Sequence, residues 1–304
     1  MEISLGRTKS RFLLGLALAG SLTGAAWAGT FTGPVSKYYL DDPESSMIYV
    51  VQGTSVVESF PTVYGGRWWE GTLAVSDTIR TQARDLFDGP DLGAGEYTLS
   101  GDPTGHGYLT PPSHNLDDYD GTTDGTFNYF VDHGADPLVG GVYMTDYYWQ
   151  NPQLLFVPQA LCYPSPPGYG CWGLVGIAYD PLNNSLWMSS ATADIIGDYS
   201  LDGTLLAEFP GGGTALGFDS ADDTLWADRG LLYQYSLNPL TFGTVLQMGY
   251  PDGLPTGFDG YPMVFNAGDF QVTAEPEPAT PVLVLTGIAV IGALIRPNRP
   301  SAAE

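Results

Sequence analysis

The feature that most constrains the fold is an internal echo. Gly176-Ile177-Ala178-Tyr179-Asp180-Pro181, followed by Leu186-Trp187, matches Ala215-Leu216-Gly217-Phe218-Asp219-Ser220, followed by Leu225-Trp226, each pair 39 positions apart. Further on, Ile196 to Leu201 matches Leu232 to Leu237, 36 positions apart after a small deletion. The unit reads as strand, Asp turn, strand with Trp, loop, strand ending Tyr-Ser-Leu, turn, strand.

Four short strands in about 40 residues is the spacing of a β-propeller blade. A fainter relative begins at Tyr39-Leu40-Asp41-Asp42-Pro43, continues through Met47 to Val50 and closes at Phe60-Pro61, as the later unit closes at Phe209-Pro210. Alternating apolar and polar residues, abundant Tyr, Trp, Thr and Val, and Gly, Asp, Asn and Pro punctuation favour strands joined by tight turns. No amphipathic helix of convincing length falls between Gly29 and Thr273, a turn or two around Ile79 to Phe87 being the best candidate. The expectation is an all-β chain with a propeller-like body over residues 29–273, near six blades of 40, although Gly89 to Val157 repeats poorly. A two-sheet sandwich would not require the echo. The two matching units resemble propellers of the NHL, senescence-marker-protein and lactonase-like types.

Both ends carry addresses. Arg7, Lys9 and Arg11, an apolar core from Phe12 to Ala19, and Ala26-Trp27-Ala28 make residues 1–28 a signal peptide cleaved after Ala28. At the other end, Pro276-Glu277-Pro278 precedes an apolar run that stops at Arg296 and Arg299. Residues 279–295 would make roughly 25 Å of helix at about 1.5 Å per residue, a little short of the ~30 Å hydrocarbon core. Pro276, Pro278 and Pro281 break any helix before it, and the run has no polar face. The arginines after it fit the basic bias of the cytoplasmic side. Residues 274–304 closely resemble the PEP-CTERM sorting signal, although Pro297-Asn298 separates the two arginines. The resemblance implies a partner, the membrane-embedded exosortase protease, and a body released or transferred to the surface of a Gram-negative bacterium. It also ties the chain to exopolysaccharide and biofilm matrix.

Charge narrows the partners of the body. Gly29 to Pro278 keeps five cations against 32 carboxylates, a net −27. Nucleic acid and anionic lipid are repelled by that field. Solubility outside the cell accounts for it, with cation binding as the second reading. The only cysteines, Cys162 and Cys171, enclose a Pro/Gly-rich loop. In an exported chain they read as a local disulfide worth about 2–3 kcal/mol.

The densest polar cluster runs from Asp117 to Gly125. Carboxylates alternating with glycine suit a hard cation, so an irregular Ca²⁺ site through Asp118, Asp120 and Asp124 stands beside the plainer reading of an acidic surface loop. It is not an EF-hand, since Thr122 and Val131 occupy positions where ligands belong. His106, His114 and His133 are the only histidines; Asp132 and His133 could supply the cation ligand and the histidine base of a propeller-hydrolase channel, though loop histidines beside glycine are more often merely exposed. No G-x-S-x-G or H-E-x-x-H motif occurs, so no catalytic residue is assigned. Trp68-Trp69, Tyr147-Tyr148-Trp149 and Tyr163 to Trp172 could stack on sugars, whereas Trp187 and Trp226, recurring at one blade position, belong to the core. The leading expectation is a non-enzymatic binding or structural protein of the exopolysaccharide matrix. The alternative is a secreted propeller hydrolase or lactonase with Ca²⁺ in its channel.

Overall fold

The structure, a computed structural model, describes residues 30–42, 44–64, 70–83, 93–109, 118–132, 140–162, 171, 173–257 and 260–272. Every strand among the described residues lies in the unit Phe31–Glu304. The signal peptide with Ala26 and Ala28, the tail with Pro276, Glu277, Pro278, Arg296 and Arg299, Trp68-Trp69, His114 and His133 lie outside the described residues.

Strands β1 (Tyr38–Asp42), β2 (Met47–Gln52) and β3 (Ser55–Pro61) start the first blade. The second is β4 (Glu70–Val75), β5 (Ile79–Ala83), β6 (Gly93–Tyr97) and β7 (Pro103–Leu109). The third is β8 (Asp118–Thr123), β9 (Asn128–Asp132), β10 (Gly141–Thr145) and β11 (Gln153–Phe156). The fourth is β12 (Leu174–Asp180), β13 (Ser185–Ser190), β14 (Ile195–Ser200) and β15 (Leu205–Pro210). The fifth is β16 (Thr214–Asp219), β17 (Thr224–Asp228), β18 (Leu232–Ser236) and β19 (Val245–Gly249), and β20 (Ala267–Phe270) returns to pair with β1. The described residues thus form five antiparallel four-stranded sheets, the first ordered β20-β1-β2-β3. Inner strands touch in the ring β4, β8, β12, β16, β20 and back to β4. The body is a five-bladed β-propeller closed by a strand from its far end.

Five blades replace the six expected from length. Inner strands begin at Glu70, Asp118, Leu174, Thr214 and Ala267, steps of 48, 56, 40 and 53 residues. Only one step matches the echo, because long connections stretch the others. The segment around Ile79, considered for a helical turn, is strand β5. The echo itself has a structural cause. Asp180 caps the turn after β12 by accepting from the amides of Leu182 and Asn183, and Asp219 does so after β16 from Ala221. Four residues beyond each, Asn184 and Asp223 adopt left-handed φ of 51° and 54°. Asp42 makes the same turn, accepting from Glu44, with Ser46 at φ 57°. The fainter relative therefore repeats the turn, but one strand further out, because β20 supplies the inner strand of its blade.

Burial falls from the axis outward. The strands β4 and β13 are buried along their whole length, while β11, β15 and β19 at the rim are mostly exposed or half-buried. Apolar side chains fill the gap between each pair of neighbouring blades. Trp187 on β13 and Trp226 on β17 take equivalent buried places on second strands, as the echo predicts. Cys162 and Cys171 are bonded, with Cα atoms 4.5 Å apart, and Cys171 lies in the core between the third and fourth blades.

Candidate functional site

The innermost strand of every blade has one edge with no neighbouring strand, so its amides on that side need other acceptors. Side chains at the axis supply them. Asp120, fully buried on β8, accepts through Oδ1 from Gly121 (3.0 Å) and Gly268 (2.9 Å) and through Oδ2 from Ile177 (3.0 Å) and Leu216 (2.7 Å). One carboxylate thus links β8, β12, β16 and β20. A register shift between Asp118 and Gly121 turns this strand inward at that point. Both glycines are required by close approach: a Cβ on Gly121 would lie 2.7 Å from Thr72 and Trp149, and one on Gly268 would lie 2.9 Å from Ala215.

A second acceptor set stands beside it. Asp269 on β20 accepts from Val75 N (2.9 Å) through Oδ2, and from Phe270 N (3.0 Å) and Thr122 Oγ1 (3.1 Å) through Oδ1. Thr122 Oγ1 in turn accepts from Tyr179 N at 3.1 Å. Asn266 donates to the carbonyls of Gly71 and Tyr119, closing β4 and β8. Asp41 differs: it is fully buried on β1, and among the described residues neither of its oxygens has a hydrogen-bond partner. Burial, then the charges of Glu70, Asp42 and Asp120, push its carboxyl well above the usual carboxylate range. Glu70, by contrast, accepts from Tyr64 N, Thr81 Oγ1 and Tyr97 OH. Burial also raises Asp120, against the pull of its four amide bonds.

Asp120 and Asp124, two of the three residues expected to share a cation, hold different partners here. Asp120 serves the axis, and Asp118 opens β8 opposite Asp132. Asp124 caps the β8–β9 turn, accepting from the amides of Thr126 and Phe127 and from Tyr129 OH, each at 2.7 Å. Among the described residues no three His, Cys, Asp or Glu side chains form a group suited to holding a metal.

A polar and aromatic patch bridges the second and third blades. Arg80 on β5 is fully buried, donating to Ser76 Oγ (2.9 Å), Thr78 Oγ1 (3.3 Å) and Asn128 Oδ1 (3.0 Å). Its guanidinium carbon lies 3.7 Å from the centroid of the Tyr147 ring, a cation–π contact made away from water. The Tyr147 hydroxyl is held by Asp77 Oδ1 (2.9 Å) and Thr78 Oγ1 (3.0 Å). Tyr148, 40% exposed, stands edge to face with Tyr147, Tyr108 and His106, at centroid distances of 5.1, 5.8 and 6.4 Å. His106 Nδ1 is 3.0 Å from Glu96 Oε2, which also accepts from Thr104 Oγ1. Burial acts to raise the Asp77 carboxyl, but bonds from Tyr147 and Ser76 and the Arg80 charge bring it below its ordinary value. The β10–β11 turn presenting these tyrosines is shaped by Asp146, which accepts from the amides of Tyr148 and Gln150. Trp149 within it takes a left-handed φ of 58° and points into the core.

The Tyr147-Tyr148-Trp149 run was readable as a candidate. Asp77, Arg80, Glu96 and His106 converge on it from three other strands and a turn, with no pattern in the sequence to announce them.

Neither a family model nor a curated protein matches this chain. Among solved structures, it is similar to a chain of a nidogen/laminin complex, at 11% identity over 78% of this chain and 98% of that one, TM-score 0.46. A Bacteroides caccae protein of unknown function aligns at 12% identity over 77% of each chain, TM-score 0.41. A functionally unknown protein from Desulfotomaculum acetoxidans aligns at 14% identity, over 74% and 70%, TM-score 0.37. Likenesses at this level say nothing of role.

Proposed function

We propose that this chain is exported, sorted through its tail by an exosortase-type protease, and serves as a binding or structural protein of the exopolysaccharide matrix. The two terminal signals supply the address. For the body, the carrying observation is the axis itself. Four backbone N–H groups converge on Asp120, so the centre presents donors with their positive ends inward. A channel Ca²⁺ needs six to eight free oxygens, and the Asp120 oxygens each already accept two bonds. This disfavours the hydrolase alternative and leaves the outer surface as the working part of the propeller.

Fractionation of the native host tests the reading. The body is expected in the extracellular polysaccharide fraction, and Pro276→Ala with Pro278→Ala should hold the chain in the membrane fraction. Recovery of wild-type protein mainly from cytoplasm would overturn the proposal.

A further inference from the structure

We infer that the Tyr148 patch between the second and third blades is a glycan-binding subsite for a neutral pyranose. This rests on the binding reading of the body and names its ligand class and place. A sugar ring offers an apolar C–H face and a rim of hydroxyl groups, so it is recognised by an exposed aromatic ring flanked by fixed hydrogen-bonding groups. Tyr148 supplies the ring. Asp77, whose side chain is 82% exposed, is held ionised by its partners and keeps room for a ligand hydroxyl to donate to it. His106, with a 65% exposed side chain, is turned by the buried Glu96 and adds a second polar rim group.

The patch is also pre-organised, which reduces the ordering cost of binding. Arg80 braces Tyr147 from within, Asn128 Nδ2 donates to the Tyr147 carbonyl at 2.9 Å, and Asp146 fixes the turn. An aromatic ring left 40% exposed on such a rigid support is poised to stack without first being ordered. Charge selects among glycans. Asp77 at the rim, on a chain of net charge −24, repels uronate and sulfate groups, so an uncharged polysaccharide fits and an acidic one does not.

Affinity electrophoresis of the purified body tests this, with the host's own exopolysaccharide, a panel of neutral glucans and galactomannan, and polygalacturonate in the gel. Retardation is expected from a neutral polymer and not from polygalacturonate. Tyr148→Ala should weaken it at least tenfold, Asp77→Asn about threefold or more, and Tyr148→Trp should retain it. Tyr261→Ala, at a 70% exposed tyrosine elsewhere, should leave it unchanged. Unchanged thermal unfolding of Tyr148→Ala would show that the fold is intact. Retention undiminished in folded Tyr148→Ala, or equal retention by polygalacturonate, overturns the subsite while the binding reading stands. No retardation of wild-type protein by any polymer overturns both.

Discussion

Asp120 and Asp41 are both sealed from solvent and close enough to feel each other's charge, yet one accepts four amide bonds and the other none. Their substitutions should act in opposite directions. Asp120→Ala strands four buried donors, each costing about 1–3 kcal/mol when unpaired. The loss should exceed about 4 kcal/mol, a large share of the roughly 5–15 kcal/mol that holds a domain together. Chemical denaturation of the variant should show little or no folded baseline. Asp41→Asn removes a carboxyl whose ionised form burial and the charges of Glu70, Asp42 and Asp120 disfavour. A raised carboxyl costs folding free energy once pH climbs above the unfolded carboxyl's ordinary range, about 1.4 kcal/mol for each pH unit up to its folded pKa. The Asn variant should therefore melt higher than wild type at pH 7 and equally at pH 4. A lower melting temperature at pH 7 would mean that Asp41 has a favourable partner. Nothing in the sequence separated these two residues. Carboxylate density suggested a cation at Asp120, because the amides that occupy it come from strands up to 148 residues away.

At the scale of the blade, the legible part was what repeats locally. The Asp-capped turn with a left-handed residue four places on, and the buried Trp on the following strand, recur in the fourth and fifth blades at constant offset. They read correctly as strand, turn and core. The first blade was less legible because its inner strand is β20, which shifts the familiar turn outward by one place. The second and third blades obey the same topology with different residues: the third carries Asp120 where the fourth and fifth carry Ile177 and Leu216, and the second opens its inner strand on Glu70 where they open on Leu174 and Thr214. The blade count failed for the same reason that β20 was missed, since connection length is not encoded in the repeat. The equivalence of Trp187 and Trp226 can be tested directly. Each fills a gap between blades, Trp187 against Phe209 and Phe242, Trp226 against Phe31. Replacement of either by Ala should cost about 3–5 kcal/mol, read by urea denaturation. A loss under about 1 kcal/mol at one of them would show that the two blades are packed differently.

For the whole molecule, buried carboxyls set the response to pH. Burial raises Asp228 to about 7, against amide bonds from Phe265 and Gly230, and raises Asp198 to about 6, with the nearby Ser185 side chain opposing and the Asp180 charge adding. Asp41, Asp120 and Asp269 shift the same way. A raised carboxyl holds its proton in the folded state after the unfolded chain has released it. Its contribution is complete below about pH 4 and is lost as pH rises through the folded value. The body should thus melt roughly 5–10 °C lower at pH 8 than at pH 5, at matched ionic strength. Stability rising over that window would contradict these assignments.

The central claim is that a closed propeller travels to the matrix and loses both of its addresses on the way. Intact-mass spectrometry of the protein recovered from the native host's extracellular matrix tests it most directly. The account predicts a chain that begins at Gly29, retains the 162–171 disulfide and contains nothing from Val282 to Glu304. A matrix-derived chain with its C-terminus intact at Glu304 would contradict it.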